Sequence, residues 1–260
     1  MLVDAHCHPF DLINIFPDSE KERQTLGVLA AASACSADEA AYNEKLPNVL
    51  PCFGIHPQYI SMRSVESGVR NEYMASCDDL LAVLHGYASA GRIKAIGECG
   101  FDLYSDEFKE TQKEQERIFS QHLEISIKYD LPVVLHVRRA MHKIFLLVKT
   151  LAKCKAVIFH SWPGTFEEAK ALLRHGVNVY FSFGNIIMLN HKKAVKSCAL
   201  LPAERLLTET DAPYAPRHAV KFSSWKDLPL ILETAAALRN TNVKDLENQI
   251  ENNFRCAFAL

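Results

Sequence analysis

The chain has 260 residues, 48% of them apolar and 23% charged, which is the composition of an ordinary globular protein and enough for one large α/β domain, read here as a single domain over 1–260. The net charge of −2 excludes a basic field over the whole molecule, so a nucleic-acid partner would need a local basic patch or bound cations. No apolar run is long enough for a membrane span, the start MLVDAHCHPFD lacks a basic leader, and the eight cysteines are scattered without a CxxC, so reduced thiols and a cytoplasmic location are expected.

In chain order, eight short apolar runs read as strands: LVDAHCH at 2–8, GVLAAASA at 27–34, VLPCFGIHP at 49–57, AIGECGFD at 95–102, PVVLHV at 132–137, AVIFHSW at 156–162, VNVYFSFG at 177–184 and RLLTETDAP at 205–213. The stretches between them are helical in pattern. Over 110–128, Ile118, Phe119, Leu123, Ser126 and Ile127 form one small or apolar face, opposite Lys113, Glu114, Glu116, Arg117 and Glu124. In TFEEAKALLRHG at 165–176, Thr165 is placed as N-cap, Glu168 completes a capping box and Gly176 closes the helix. A last helix covers roughly 243–257. Strand–helix alternation repeated eight times predicts a (β/α)8 TIM-type barrel. An open doubly wound sheet is the alternative, weakened by the lack of a GxGxxG after any strand.

Metal-ligand residue types fall at the C-terminal ends of these strands: His6 and His8 on the first, Glu98 on the fourth, His136 on the fifth, His160 on the sixth and Asp211 on the eighth. In a barrel those ends converge on one face, where active sites lie. Residues two apart on a strand point the same way, so His6 and His8 face the axis together, while Cys7, and likewise Cys99 beside Glu98, face the helices. Four imidazoles and two carboxylates suit zinc, with manganese or magnesium also compatible with the carboxylates. Six donors exceed one tetrahedral ion and fit two divalent ions sharing a bridging carboxylate.

Other residues carry two readings each. His56 in GIHP ends the third strand on the same face, as a substrate contact or as a structural turn before Pro57. Glu209 shares a side with Asp211, as an orienting partner for a ligand histidine or as a buried carboxylate paired with a cation. Trp162 fits stacking on a base or sugar, or covering the barrel mouth. Ser182 and Gly184 fit a substrate wall or barrel filling. His85, His122, His142, His175, His191 and His218 lie on helical or loop patterns and are expected to be solvated.

The ordered set DAHCHPFD, GIHP, AIGECGFD, LPVVLHVRRA, FHSW and LLTETDAPY, with ENNFRCAF at the end, resembles the TatD family of metal-dependent hydrolases over essentially the whole chain. The resemblance implies a distorted barrel with one or two divalent metals and, in many members, deoxyribonuclease activity. It places His6, His8 and Asp211 at a first metal, Glu98 as a bridge, and His136 and His160 at a second. Asp211 would also orient or deprotonate the attacking water, so Asp211 and Glu98 are the catalytic candidates, and Arg138 would contact phosphate. Two departures stand out. The segment usually reading HxRDA is HVRRA here, with Arg139 in the acidic place, and APRHAVKFSSWKDLP replaces an RNEP-like stretch. Arg217, Lys221 and Lys226 lie in that region, as phosphate contacts or solvated charges.

The function expected is metal-dependent hydrolysis of a phosphodiester, with DNA or a related diester as substrate and no obligate protein partner. The alternatives are hydrolysis of a small ester, amide or lactone by the same centre, and a metal-binding scaffold with little catalysis.

Overall fold

The computed structural model describes residues 1–65 and 75–260. Eight strands form one sheet in sequence order: β1 (Val3–Cys7), β2 (Leu29–Ala34), β3 (Val49–Phe53), β4 (Ala95–Asp102), β5 (Val133–Arg138), β6 (Val157–Phe159), β7 (Val179–Phe183) and β8 (Leu206–Thr208). Each pairs in parallel with the next. Sequential order with helices between the strands makes a nearly closed TIM-type barrel and rules out the doubly wound alternative, whose strand order reverses at a switch point.

The seam between β8 and β1 is where the barrel is distorted. Side chains bridge it: Thr208 Oγ1 donates to the Val3 carbonyl at 3.0 Å, and the fully buried Asp4 accepts from the Thr210 N–H at 3.0 Å and its hydroxyl at 2.6 Å. Above these, backbone bonds from Asp211 N–H to His6 O (3.0 Å) and from His8 N–H to Ala212 O (2.8 Å) tie the two strand ends together.

The β4 boundaries agree with the sequence reading. Five others stop short of their expected ends, β1 at Cys7 and β7 at Phe183 by one residue, and β3 at Phe53, β6 at Phe159 and β8 at Thr208 by more, so His8 caps the next helix instead of ending β1. His56, His160 and Asp211 therefore sit on loops at the mouth rather than on strands. Just past two of these ends the backbone turns left-handed, at Ser161 (φ 42°) and Asp211 (φ 57°).

The helix Phe166–Arg174 has the expected capping box, with Glu168 N–H donating to Thr165 Oγ1 at 3.1 Å and Thr165 N–H to Glu168 Oε2 at 2.6 Å. Gly176 follows it at φ +77°. On the helix Gln112–Tyr129 the buried face comprises Gln115, Ile118, Phe119, His122, Leu123, Ile125 and Ser126, whereas Ile127 turns outward. Among the described residues, no helix is long and apolar enough to cross a membrane.

Candidate metal centre

Two bulges aim the first ligands. Between Asp4 and Cys7, β1 has one residue more than β2 between Ala30 and Ala32, and between Ile96 and Cys99, β4 has one more than β5 between Val133 and Leu135. Such an insertion bends a strand and redirects a side chain. Here the redirected residues include His6 and Glu98. Gly97 is required for the second: at φ +144°, a Cβ would lie 2.6 Å from the Val134 carbonyl oxygen.

The six expected ligands converge. His6 Nε2 lies 3.1 Å from His8 Nε2, 3.3 Å from Glu98 Oε2 and 3.6 Å from Asp211 Oδ1. His8 Nε2 lies 3.6 Å from Asp211 Oδ1 and 3.8 Å from Glu98 Oε2. Four donors about 2.1 Å from a tetrahedral ion stand ~3.4 Å apart, so these spacings fit a common cation. The other Glu98 oxygen, Oε1, lies 2.7 Å from His136 Nδ1 and 3.5 Å from His160 Nε2; the donor atoms cluster as His6, His8 and Asp211, as His6, Glu98 and His160, and as His56, Glu98 and His136, so His160 sits nearer the first group than the sequence assignment beside His136 implies.

Hydrogen bonds behind the rings decide which nitrogens carry lone pairs into the centre. His160 Nδ1–H donates to Glu209 Oε1 at 3.0 Å, which leaves Nε2 free as a ligand. His136 Nε2–H faces Asp102 Oδ2 at 3.2 Å, leaving Nδ1. His6 Nδ1 is 3.2 Å from the Ser33 hydroxyl, which can accept its proton and leave Nε2. His56 has the reverse arrangement. Its Nδ1 accepts from the Gln58 N–H at 3.1 Å, so the neutral ring carries its proton on Nε2, which points at His136 Nδ1 (3.2 Å) and Glu98 (3.6 Å). Although near enough to count among metal-binding groups, His56 is built as a donor. The structural-turn reading thus has a contact behind it, the Gln58 N–H bond that caps the helix beginning at Pro57.

Burial would raise the pKa of Glu98, but His6, His56, His160 and His136 around it hold it well below the ordinary carboxylate range. Asp211 is likewise lowered against its burial, by His160, His8 and His6. Burial works against a charged His160, yet Glu209, Glu98 and Asp211 push it up to about 10. Both carboxylates are therefore ionised, as metal ligation requires, and a cation would take the place of the protons the imidazoles bind.

Several side chains lie elsewhere than expected. Trp162 is fully buried against Phe159 and Phe181, with Nε1 donating to Ser197 Oγ at 3.3 Å. It neither stacks on a ligand nor covers the mouth, because it follows β6 into the apolar layer under the helices. His122 is fully buried, not solvated: Nδ1–H donates to Ile118 O at 2.7 Å, and Nε2 accepts from the Ile55 N–H at 2.9 Å. Ser182 is barrel filling, and Gly184 makes room for Glu209, whose Cγ a Cβ there would approach to 3.3 Å. Arg217 pairs with Asp227 at 2.8 Å and Lys226 with Glu22 at 2.9 Å, and Lys221 is exposed. Arg138 is exposed at the mouth, 3.9 Å from Asp102.

Asp102, Ser33 and Tyr214 carry site contacts that sequence reasoning passed over. Asp102 was findable, since strand alternation from Glu98 puts it on the same side four residues on. Tyr214, with its ring edge-on to His8 and its hydroxyl donating to Asp11 at 2.9 Å, carries no such periodic signal.

Residues 3–259 match the family model described as TatD related DNase. A relative from Pantoea ananatis named 3'-5' ssDNA/RNA exonuclease TatD is 32% identical over 215 residues, which span 80% of this chain and 76% of the relative. A protein from Buchnera aphidicola named an uncharacterized metal-dependent hydrolase is 27% identical over 277 residues, spanning 100% of this chain and 96% of its own. In fold, the solved structure of a TatD homologue from Escherichia coli superposes with a TM-score of 0.83 at 23% identity, covering 100% of this chain and 98% of that one.

Proposed function

The chain belongs to the TatD related DNase family and is a metal-dependent hydrolase of that type, and from this premise we propose that it hydrolyses nucleic-acid phosphodiesters at a pair of divalent ions. The observation that carries the reading is the split of Glu98, with Oε2 at 3.3 Å from His6 and Oε1 at 2.7 Å from His136. One carboxylate thereby serves two donor groups, His6, His8 and Asp211 on one side and His136 and His160 on the other. The nitrogen-rich set favours zinc or manganese over magnesium. Bound ions would supply Lewis-acid charge that activates water and neutralises charge developing on a phosphoryl group.

The chain's own residues supply the rest. Asp211, held ionised, takes the proton of the attacking water at a carboxylate oxygen. His56, with its proton held on Nε2 by the Gln58 contact, offers that N–H beside Glu98, where a non-bridging phosphoryl oxygen would accept it. Glu209 and Asp102 hold His160 and His136 in the ligating tautomer. The whole chain acts as one catalytic barrel, and the thiol character of buried cysteines such as Cys7 and Cys99 suits a cytoplasmic setting.

The test is cleavage of end-labelled single- and double-stranded DNA and RNA by protein loaded with manganese, magnesium or zinc, beside a panel of small esters and lactones. Metal-dependent release of nucleotides, abolished by Asp211→Asn and by His136→Ala, is the expected result. Turnover of a lactone or ester with intact oligonucleotide would overturn the substrate assignment. Full metal occupancy with no turnover of any substrate would overturn the hydrolytic reading.

A further inference from the structure

Of two cations beside the centre, Arg138 has only a long ion pair with Asp102, at 3.9 Å, and Arg139 has none among the described residues. The Arg138 guanidinium carbon lies 3.7 Å from the Tyr104 ring centroid, and that of Arg139 lies 4.3 Å from the same centroid. Two guanidiniums share one aromatic ring, and Arg139 Nη1 also donates to the Tyr104 carbonyl at 3.3 Å. The nearest carboxylate oxygen to Arg138 is Asp102 Oδ2 at 3.9 Å, and Asp102 is already engaged by Gln58 (2.7 Å), His136 (3.2 Å) and the Tyr104 N–H (2.9 Å). Among the described residues, Arg139 forms no ion pair with any carboxylate. All three side chains are exposed.

Holding like charges together costs free energy that the π face of Tyr104 offsets only in part. An anion shared between the guanidiniums would remove that cost, and the planar fork of arginine matches phosphate oxygens. The place is informative. Arg138 ends β5 two residues beyond His136, about 7 Å further along the strand, and Tyr104 stands two residues past the end of β4. The pair thus stands at the mouth, one strand step outward from the centre.

We propose that Arg138 and Arg139, braced on Tyr104, clamp a backbone phosphate of a polynucleotide strand adjacent to the phosphodiester at the metal centre. The proposal rests on the phosphodiesterase reading above and makes the substrate a strand with several phosphates rather than a lone diester.

The test is fluorescence anisotropy with labelled dT10 of phosphorothioate backbone and manganese-loaded protein. The parent is compared with Arg138→Gln, Arg139→Gln, the two combined, and Arg174→Gln. Arg174 is exposed at the end of the helix Phe166–Arg174, toward the opposite face of the barrel, and controls for charge alone. Each clamp variant is expected to weaken binding about tenfold, the loss of one charge-assisted contact. The variant with both arginines replaced by glutamine should also flatten the slope of log Kd against log salt by about 0.7, the value for one phosphate of a single strand. Affinity and slope unchanged in the clamp variants, or an equal loss in Arg174→Gln, would overturn the clamp, as would a parent that does not bind dT10. So would inorganic phosphate binding as tightly as dT10 with the same Arg139 dependence, since that marks a free-phosphate site. Cleavage of unmodified DNA without any Arg139 effect on binding sinks the clamp alone. Clamp-dependent binding without cleavage sinks the phosphodiesterase reading alone.

Discussion

Asp102 Oδ2 stands 3.2 Å from His136 Nε2, on the side of the ring away from Glu98, whose Oε1 is 2.7 Å from Nδ1. The imidazole is thus held between two carboxylates, one that orients it and one that lies on the side of its lone pair. Gln58 fixes the orienting carboxylate in turn, donating to the same Oδ2 at 2.7 Å. Removal of such a partner typically costs 10–100-fold in metal affinity. Asp102→Ala is therefore expected to lose roughly that much in competition with a chelating dye, with an unchanged far-UV circular dichroism spectrum. Affinity equal to the parent would show that the ring is oriented by packing instead.

Metal removal should destabilise the fold and acidify nothing, whereas metal return should release protons. His160 is pushed up to about 10, so that ring holds a second proton at neutral pH when no cation competes, and His8 and His136 are raised in the same direction by the carboxylates beside them. Calorimetric titration of chelator-stripped protein with manganese or zinc at pH 7, in two buffers of different ionisation enthalpy, should report net proton release. Free metal at a hundred times its Kd adds about 2.7 kcal/mol to unfolding free energy, read as a rise in Tm.

His122 makes stability pH-dependent outside the centre. Burial lowers its pKa to about 4 from 6.5, and protonation at Nε2 would set a proton against the Ile55 N–H. The folded state binds fewer protons than the unfolded one between those values. The contribution is therefore complete above pH 6.5 and is lost as pH falls towards 4, about 3 kcal/mol at most. Urea unfolding of parent and His122→Gln from pH 7.5 to 4.5 checks this: the variant should be less stable at pH 7.5, and its stability should fall less on acidification.

Gly97→Ala should lose both stability and metal. The added Cβ would meet Val134 O at 2.6 Å and Val134 Cβ at 2.9 Å, with φ in a region closed to alanine. A cost of about 1–3 kcal/mol from backbone strain, visible in the urea midpoint, is expected. Because Glu98 is the next residue, metal stoichiometry should fall as well. A variant binding the parent's complement of metal would show that the bulge does not aim Glu98.

Much of this was legible in the residues alone. Alternation along DAHCH separated His6 and His8 from Cys7, and Cys7 does turn away, its thiol against Ala31 O at 3.4 Å. The capping box at Thr165 and Glu168 was readable because its partners lie three residues apart. Trp162 and His122 were misread for the opposite reason. Helical or strand position says how a side chain leaves the backbone, and only the packed neighbours, Phe181 for one and Ile55 for the other, say whether water reaches it.

The sequence by itself determined the eight strand–helix units and the order of the candidate ligands at their C-terminal ends, since these follow from local periodicity and residue chemistry. Tertiary structure alone decided the bulges at His6 and Glu98, the protonated Nε2 of His56, and the pairing of Arg138 with Arg139 on Tyr104. Each depends on atoms distant in the chain or on the exact turn of the backbone: a register against the next strand, a backbone N–H set in place by the first turn of the helix Pro57–Val65, a ring brought over from the loop after β4. Local pattern carries no information about such distances, because they are set only when the barrel closes.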